Sequence, residues 1–503
     1  MSPPLSPALR PSATPLAAVA GLELSYEVPG LRPLERVSVT LTGPGGAGTR
    51  AMALRANRDG LLIWQRDSTQ DRTGLWIARA QGDSGSTTVI TYTLKELDLP
   101  ADPVNVGQSE FLVYRTPEAF FHFDRSVHTG TVAWAAGVYR DALATVPASM
   151  GTDFAERVDF FLFSDRDALK RAVRATGTNP GEGPLAGISL HGFDHPRIYL
   201  DVASPYAGAA HILGHEFLHQ VSAHIAGPRP MPAWLDEGLA EYFGVVVASK
   251  TAMRQELQWR RSFRGAVREA ITSGDWIDLA SLASRDAWMR ETDLHRVDLM
   301  YGEGYATADF VAHTYGERAL RSFLEAMADH PDDPEAAVRI LFNISFSEFQ
   351  RRVREDVLQP DDYERQTDAL VTYARRLFAI MDQEAVLKRR WSEYPRLRGA
   401  LTRPQRQAQL LDLSNGYAGL LARAQDAGVF GAPADTHELF LQALAAFIKA
   451  MDGFARFEDT GESAAVTLGN ASLDRGNFLL GAAQDWLVMT LQSSGISAGE
   501  VRA

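Results

Sequence analysis

The chain has 503 residues, no cysteine and a formal charge of −13. A length of this order points to roughly two to four domains with sizeable cores, and the negative charge argues against nucleic acid or anionic lipid as the main partner. Without cysteine there is neither a disulfide framework nor a thiolate metal site. No apolar run approaches the roughly 20 residues of a membrane span, so none is expected.

Residues 1–20 are rich in Pro, Ser and Ala and lack a basic stretch followed by a long apolar core. They read as a disordered linker rather than a signal peptide. From residue 21 to 108 the pattern is period-2 alternation between turn clusters, as in Glu35-Arg-Val-Ser-Val-Thr-Leu41 and Gly74-Leu-Trp-Ile-Ala-Arg79. Short strands broken by Gly43-Pro-Gly-Gly and Gly82-Asp-Ser-Gly predict a small antiparallel β-sandwich, with a spacing or surface-binding role and no residues set for chemistry. Near Ser109 the pattern changes. A strand at Phe111-Leu-Val-Tyr114 precedes a helix over 128–143, then a buried strand, Val158-Asp-Phe-Phe-Leu-Phe163, with Ser164-Asp-Arg-Asp as the next helix start. A Gly/Pro loop over 176–187 leads to Ile188-Ser-Leu-His191 and Pro196-Arg-Ile-Tyr-Leu200.

The next stretch carries His215-Glu-Phe-Leu-His219. Four residues on a helix is just over one turn, so His215 and His219 lie on one face and their imidazoles converge on one ion. Glu216 sits about 100° further round. There it reaches a metal-activated water without displacing either His, which is the placement of a general base in a zinc peptidase. Ser204 and Pro205 suit the N-cap and first turn of this helix, and Gly227-Pro228 its end. His211, one turn earlier, lies too far along the axis to share a single ion with both later imidazoles.

A second helix, opened by Pro232, carries Trp234-Leu-Asp-Glu-Gly-Leu-Ala-Glu-Tyr242. Seventeen residues separate Glu237 from His219. Two His and one Glu form an established catalytic zinc set that leaves a position open. Glu241 falls one turn after Glu237, where it accepts a hydrogen bond from a ligand His and fixes its tautomer.

These two segments resemble the gluzincin zinc metallopeptidases, most closely the bacterial peptidase-MA-like group related to aminopeptidase N and thermolysin. By that resemblance His215, His219 and Glu237 are Zn2+ ligands and Glu216 is the catalytic base. The spacing departs by one from the eighteen residues usual in aminopeptidase-N-type enzymes, and their Gly-Ala-Met-Glu-Asn signature is absent. The expectation is therefore an endopeptidase-like hydrolase acting on a peptide or protein. The resemblance also implies that an edge strand ahead of the zinc helix pairs with substrate, which nominates Gly187, Ile188, Ser189 and Leu190. Tyr301-x-x-Gly304 matches a motif whose phenol donates to the tetrahedral oxyanion, making Tyr301 the first candidate and Tyr305 the second. Members of this group are usually exported, which implies an extracellular or cell-surface setting in a bacterium.

The expected architecture is multidomain. An immunoglobulin-like β-sandwich (21–108) follows the linker, then an α+β gluzincin-type domain (109–358), then an all-α helical bundle (359–503). Helix-period segments at 370–381, 405–424, 437–451 and 477–491 suggest four helices without clustered His or facing carboxylates. The competing expectation is a non-catalytic surface or assembly module that keeps the fold for structure. Simultaneous retention of Glu216 and all three ligands favours activity. Oligomeric state and substrate have no signature in the sequence.

Overall fold

The computed structural model describes residues 8–9, 16–46, 50–57, 59–106, 109–180, 185–203, 206–251, 253–360, 362–427, 434–494, 496 and 501. It divides into two compact units, Met1–Gln359 and Pro360–Ala503. The first begins sheet-rich; the second is helical.

Eight strands open the first unit: β1 (Ala8–Leu9), β2 (Leu16–Val19), β3 (Glu23–Val28), β4 (Arg36–Thr42), β5 (Arg50–Arg55), β6 (Leu62–Asp67), β7 (Gly74–Gly82) and β8 (Thr87–Lys95). They form a three-stranded sheet, β1-β3-β6, and a five-stranded sheet, β2-β8-β7-β4-β5. Alternation along β4 and β7 sends every second side chain inward. Val37, Val39, Leu41, Trp76 and Tyr92 meet Tyr26 and Trp64 in one core. Two features differ from the sequence reading. The segment read as a linker supplies two strands, and both pair parallel, β1 with β3 and β2 with β8. The apolar run Leu16-Ala-Ala-Val19 covers the outer edge of β8, a row of backbone groups that would otherwise lack partners, and Ala18 and Ala20 are small enough to be buried there.

A third sheet, of six strands, carries the rest of this unit. Its strands are β9 (Ala101–Val106), β10 (Ser109–Arg115), β11 (Ala119–Phe123), β12 (Val158–Phe163), β13 (Gly187–Leu190) and β14 (Arg197–Asp201), in the order β13-β14-β12-β11-β10-β9. β9 hydrogen-bonds to β10, so this sheet takes in residues 101–106, which the sequence pattern grouped with the strands before them. β11, β12 and β14 run parallel, and β13 is an antiparallel edge strand on β14. The crossover from β11 to β12 is the helix Thr129–Met150, which runs seven residues past the end its periodicity indicated and is stopped by Gly151 in the left-handed region (φ 60°). Asp165 caps the helix Arg166–Ala175 by accepting from the backbone N–H groups of Asp167 and Ala168.

One face of the sheet, through Phe121, Phe160, Leu162, Ile198 and Leu200, packs on a helical layer. Three of those helices position the site: the motif helix Tyr206–Ala226, the glutamate helix Ala233–Thr251 and the tyrosine helix Leu294–Tyr315. The motif helix ends where expected, with Gly227 at φ 65° returning its N–H to Ala223. The N-terminal pair Ser204 and Pro205 lies outside the described residues.

Glycines let these helices approach at backbone distance. A Cβ on Gly304 would stand 2.7 Å from the Trp234 carbonyl oxygen and 2.9 Å from the Gly238 Cα, and one on Gly238 would stand 2.3 Å from the Gly304 oxygen. Neither neighbour is a side chain that could move aside. Gly304→Ala is therefore expected to lose about 1–3 kcal/mol by overpacking. Gly265, whose added Cβ meets nothing within 4 Å, supplies the control. Urea denaturation of both alanine variants measures the difference, and equal midpoints would contradict the close contact.

Arg264 locks the end of this layer. Its buried guanidinium pairs with Asp309 and Asp356, each at 3.2 Å, and donates to the carbonyls of Asp356 and Gln359.

In the second unit four helices are described, Asp362–Leu397, Arg403–Asp426, Ala434–Thr460 and Ser463–Ser493. Leu377, Leu413, Tyr417, Leu444, Phe447 and Leu487 are buried within it. Buried Glu458 accepts from Tyr394, Arg398 and Arg406, so its charge is paired.

Candidate metal centre

His215 and His219 project from the same face of the motif helix, one turn apart, and the glutamate helix crosses beneath them. The crossing is close because glycines line it: a Cβ on Gly214 would stand 2.7 Å from Val247 Cβ, and one on Gly244 would stand 2.9 Å from the His211 oxygen. Glu237 is thereby carried to the two imidazoles. His215 Nε2 and His219 Nε2 lie 3.2 Å apart, and Glu237 Oε2 lies 3.3 Å from the first and 3.7 Å from the second.

Those separations test the fit of an ion. Ligand atoms about 2.0–2.1 Å from a tetrahedral zinc stand about 3.3–3.4 Å from one another. Three donors that already form such a triangle, with His219 and Glu237 buried and His215 half-buried, are arranged around a common centre, and these side chains form a group able to hold a metal ion.

The surrounding charges favour a cation. Glu216, Asp236, Glu237 and Glu241 place four carboxylates around two imidazoles, with Arg285 as the nearby guanidinium. Burial alone would strip the proton from His215, but the Glu237 and Glu241 carboxylates outweigh it and hold the imidazole pKa well above its ordinary value. His219 is raised in the same sense, with Asp236 and Glu237 overcoming burial. Ligand imidazoles must be neutral, so a metal ion replaces those protons and binds more weakly as the pH falls.

Each of the two imidazoles has a carboxylate on its far side. His215 Nδ1 lies 3.1 Å from Glu241 Oε1, the partner expected from the sequence. Glu241 has a second contact, at 2.7 Å, from its other oxygen to His211 Nε2. His211, Glu241 and His215 together also have a geometry able to hold an ion; the short contacts are those of one carboxylate accepting from two ring N–H groups. His219 Nδ1 is 3.1 Å from Asp236 Oδ1. Asp236 was not singled out in the sequence, although every ligand imidazole needs an acceptor for its second nitrogen, and Asp236 is the carboxylate beside Glu237 on the first turn.

Glu216 is buried next to the ligands, and desolvation raises its carboxyl pKa, which makes it a stronger base once ionised. The edge strand β13 runs against it: a Cβ on Gly187 would stand 2.9 Å from Glu216 Cγ and 3.0 Å from Oε1. Ile188, Ser189 and Leu190 continue the edge, each paired to β14 on one side. Gln220, on the motif helix, donates to Ser189 Oγ and fixes the strand to the helix.

The two tyrosines separate clearly. Tyr301 lies with its ring centroid 6.3 Å from that of His215 and edge-to-face on Trp288 at 5.2 Å. Burial and the Glu237 carboxylate push its phenol pKa up, so it stays a hydrogen-bond donor. Tyr305, one turn on, stacks on Phe263 at 5.0 Å and feels Asp309 instead. His191 and His195 are exposed or half-buried, and His295 is exposed.

No family model matches the sequence, and no curated protein matches it. No helix among the described residues is long and apolar enough to cross a membrane.

Proposed function

We propose that the protein is a zinc-dependent peptide hydrolase, endopeptidase-like, built on a gluzincin-type domain with an immunoglobulin-like sandwich ahead of it. The observation that carries this reading is the triangle of His215, His219 and Glu237 donor atoms, with sides of 3.2, 3.3 and 3.7 Å, beside a buried Glu216. A bound zinc ion supplies Lewis acidity, polarising the scissile carbonyl and lowering the pKa of a water to about 7.

The chain's own residues do the rest. Substrate backbone adds to the free edge of β13, which places an extended peptide across the ligand triangle. Glu216 takes the proton of the attacking water and returns it to the leaving amine. Tyr301 donates to the oxygen on which charge develops. Asp236 and Glu241 hold the ligand imidazoles in one tautomer. An extracellular or cell-surface setting in a bacterium belongs to the same proposal and rests on the resemblance alone.

Glu237→Ala tests the metal set. Two remaining imidazoles leave the ion short of a donor, and zinc stoichiometry by mass spectrometry after gel filtration is expected to fall from one per chain to near zero. Full retention of zinc would remove Glu237 from the site.

A further inference from the structure

Glu237 turns one carboxylate oxygen, Oε2, toward both imidazoles. Its other oxygen, Oε1, accepts a hydrogen bond from Arg285 Nη1. The same nitrogen lies 3.5 Å from Asp236 Oδ2, and the second oxygen of Asp236 faces His219 Nδ1. One guanidinium thus joins the back of a ligand carboxylate to the back of the carboxylate that orients a ligand imidazole. The Arg285 side chain is 51% exposed and that of Glu237 7%, so the cation sits at the boundary between buried donors and solvent.

We propose that Arg285 is a positioning residue that holds Glu237 as a one-oxygen metal ligand and keeps a coordination position open for chemistry. This role rests on the metallopeptidase reading. A carboxylate with both oxygens free is able to chelate an ion through both; one oxygen committed to a charge-assisted hydrogen bond is withheld from it. A catalytic zinc site works with three protein donors and a position for water or substrate. Glu237 bound through both oxygens would crowd that position. The guanidinium also draws charge from the glutamate, leaving the bound ion a stronger Lewis acid. The short helix that Arg285 begins, Arg285–Arg290, is set against the tyrosine helix by Trp288, whose ring meets Tyr301 edge-on. Lysine would retain the charge but not the rigid, planar guanidinium that fixes the donating nitrogen between the two carboxylates.

The test uses the full chain as wild type, Arg285→Met and Arg285→Lys, each stripped of metal and loaded with cobalt(II) or zinc. Three quantities are read: the visible absorption of the cobalt form, zinc affinity against a chromophoric chelator, and peptide hydrolysis. In Arg285→Met the freed oxygen raises the coordination number, and the cobalt absorption is expected to fall about twofold. Zinc affinity is expected to hold or rise, because a repelling charge has gone, while kcat falls about 10–100-fold as for other groups behind metal ligands. Arg285→Lys is expected to fall between wild type and the Met variant.

A residue that only stabilised the fold would weaken zinc binding and lower Tm without altering the cobalt spectrum. A Met variant with the wild-type cobalt spectrum, or with weakened zinc binding, overturns the role of Arg285 and leaves the metal site standing. Failure of the wild type to take up either ion overturns the metallopeptidase reading and this role together.

Discussion

Replacing Glu216 by Gln is expected to leave one metal ion bound per chain and to lower peptide hydrolysis by about 10²–10⁴-fold, the contribution of a well-placed general base. The substitution keeps size and shape, which matters because the side chain is wedged against the Cα of Gly187 and beside Ile212. Glu216 is not one of the three donor residues, so the ion loses nothing. What disappears is basicity: an amide oxygen does not take a proton from water near neutral pH. Burial raises the Glu216 pKa while the two ligand imidazoles pull it down when they carry charge. Parallel assays of zinc content and single-turnover hydrolysis separate the two effects. An unchanged rate would place the base elsewhere, and loss of metal would make Glu216 a ligand.

Tyr301→Phe is expected to lower kcat by about 10²–10³-fold, the usual cost of one oxyanion donor, with KM and zinc content little changed. The phenol acts only once the carbonyl becomes tetrahedral, so its removal is felt in the transition state and not in the ground state. The geometry selects this residue over Tyr305. Tyr301 lies beside His215 and answers to the charge of Glu237, whereas Tyr305 is 1% exposed, stacked on Phe263 and tilted against Tyr242. Steady-state kinetics on both Phe variants decide the matter. Loss with Tyr305→Phe alone would exchange the two roles; loss with neither would assign the oxyanion to another group.

Gly304 follows Tyr301 by three residues, about one turn along the same helix. Gly304 is the point of backbone contact with Gly238 on the glutamate helix. That contact sets how close Tyr301 comes to the ligands, one turn earlier on the same helix.

How much of this was legible in the sequence depends on the range of the interaction concerned. His215, Glu216 and His219 are related by helical periodicity, and Glu241 by one further turn from Glu237, so local spacing placed them. Asp236 is adjacent to Glu237 rather than a turn away, so no helical period points to it. Its pairing with His219 depends on how two helices cross, at Gly214 and Gly244. Arg285 stands 48 residues from Glu237 and is brought back by the chain between them, and no period reports such a return. His211 lies too far along the helix axis to share an ion with both later imidazoles, yet it holds Glu241 from the far side.

In the fold, alternation located β4, β7 and β8 because one face is buried and the other wet. Leu16-Ala-Ala-Val19 carries no alternation and follows the Pro11-Ser-Ala-Thr-Pro15 stretch, so its pairing with β8 depends on an exposed edge that only the assembled sheet presents. The helices of the second unit run well beyond their periodic cores. In the helix Asp362–Leu397 polar helix formers extend the helix without adding to its apolar stripe, as far as Pro395 in its last turn.

The most direct measurement is metal content of the untreated protein by mass spectrometry, coupled to a peptidase assay before chelation, after it, and after zinc is restored. One zinc per chain is predicted, with hydrolysis lost on chelation and recovered with zinc. A protein that carries no zinc and gains none, or one whose hydrolysis survives its removal, would contradict the account.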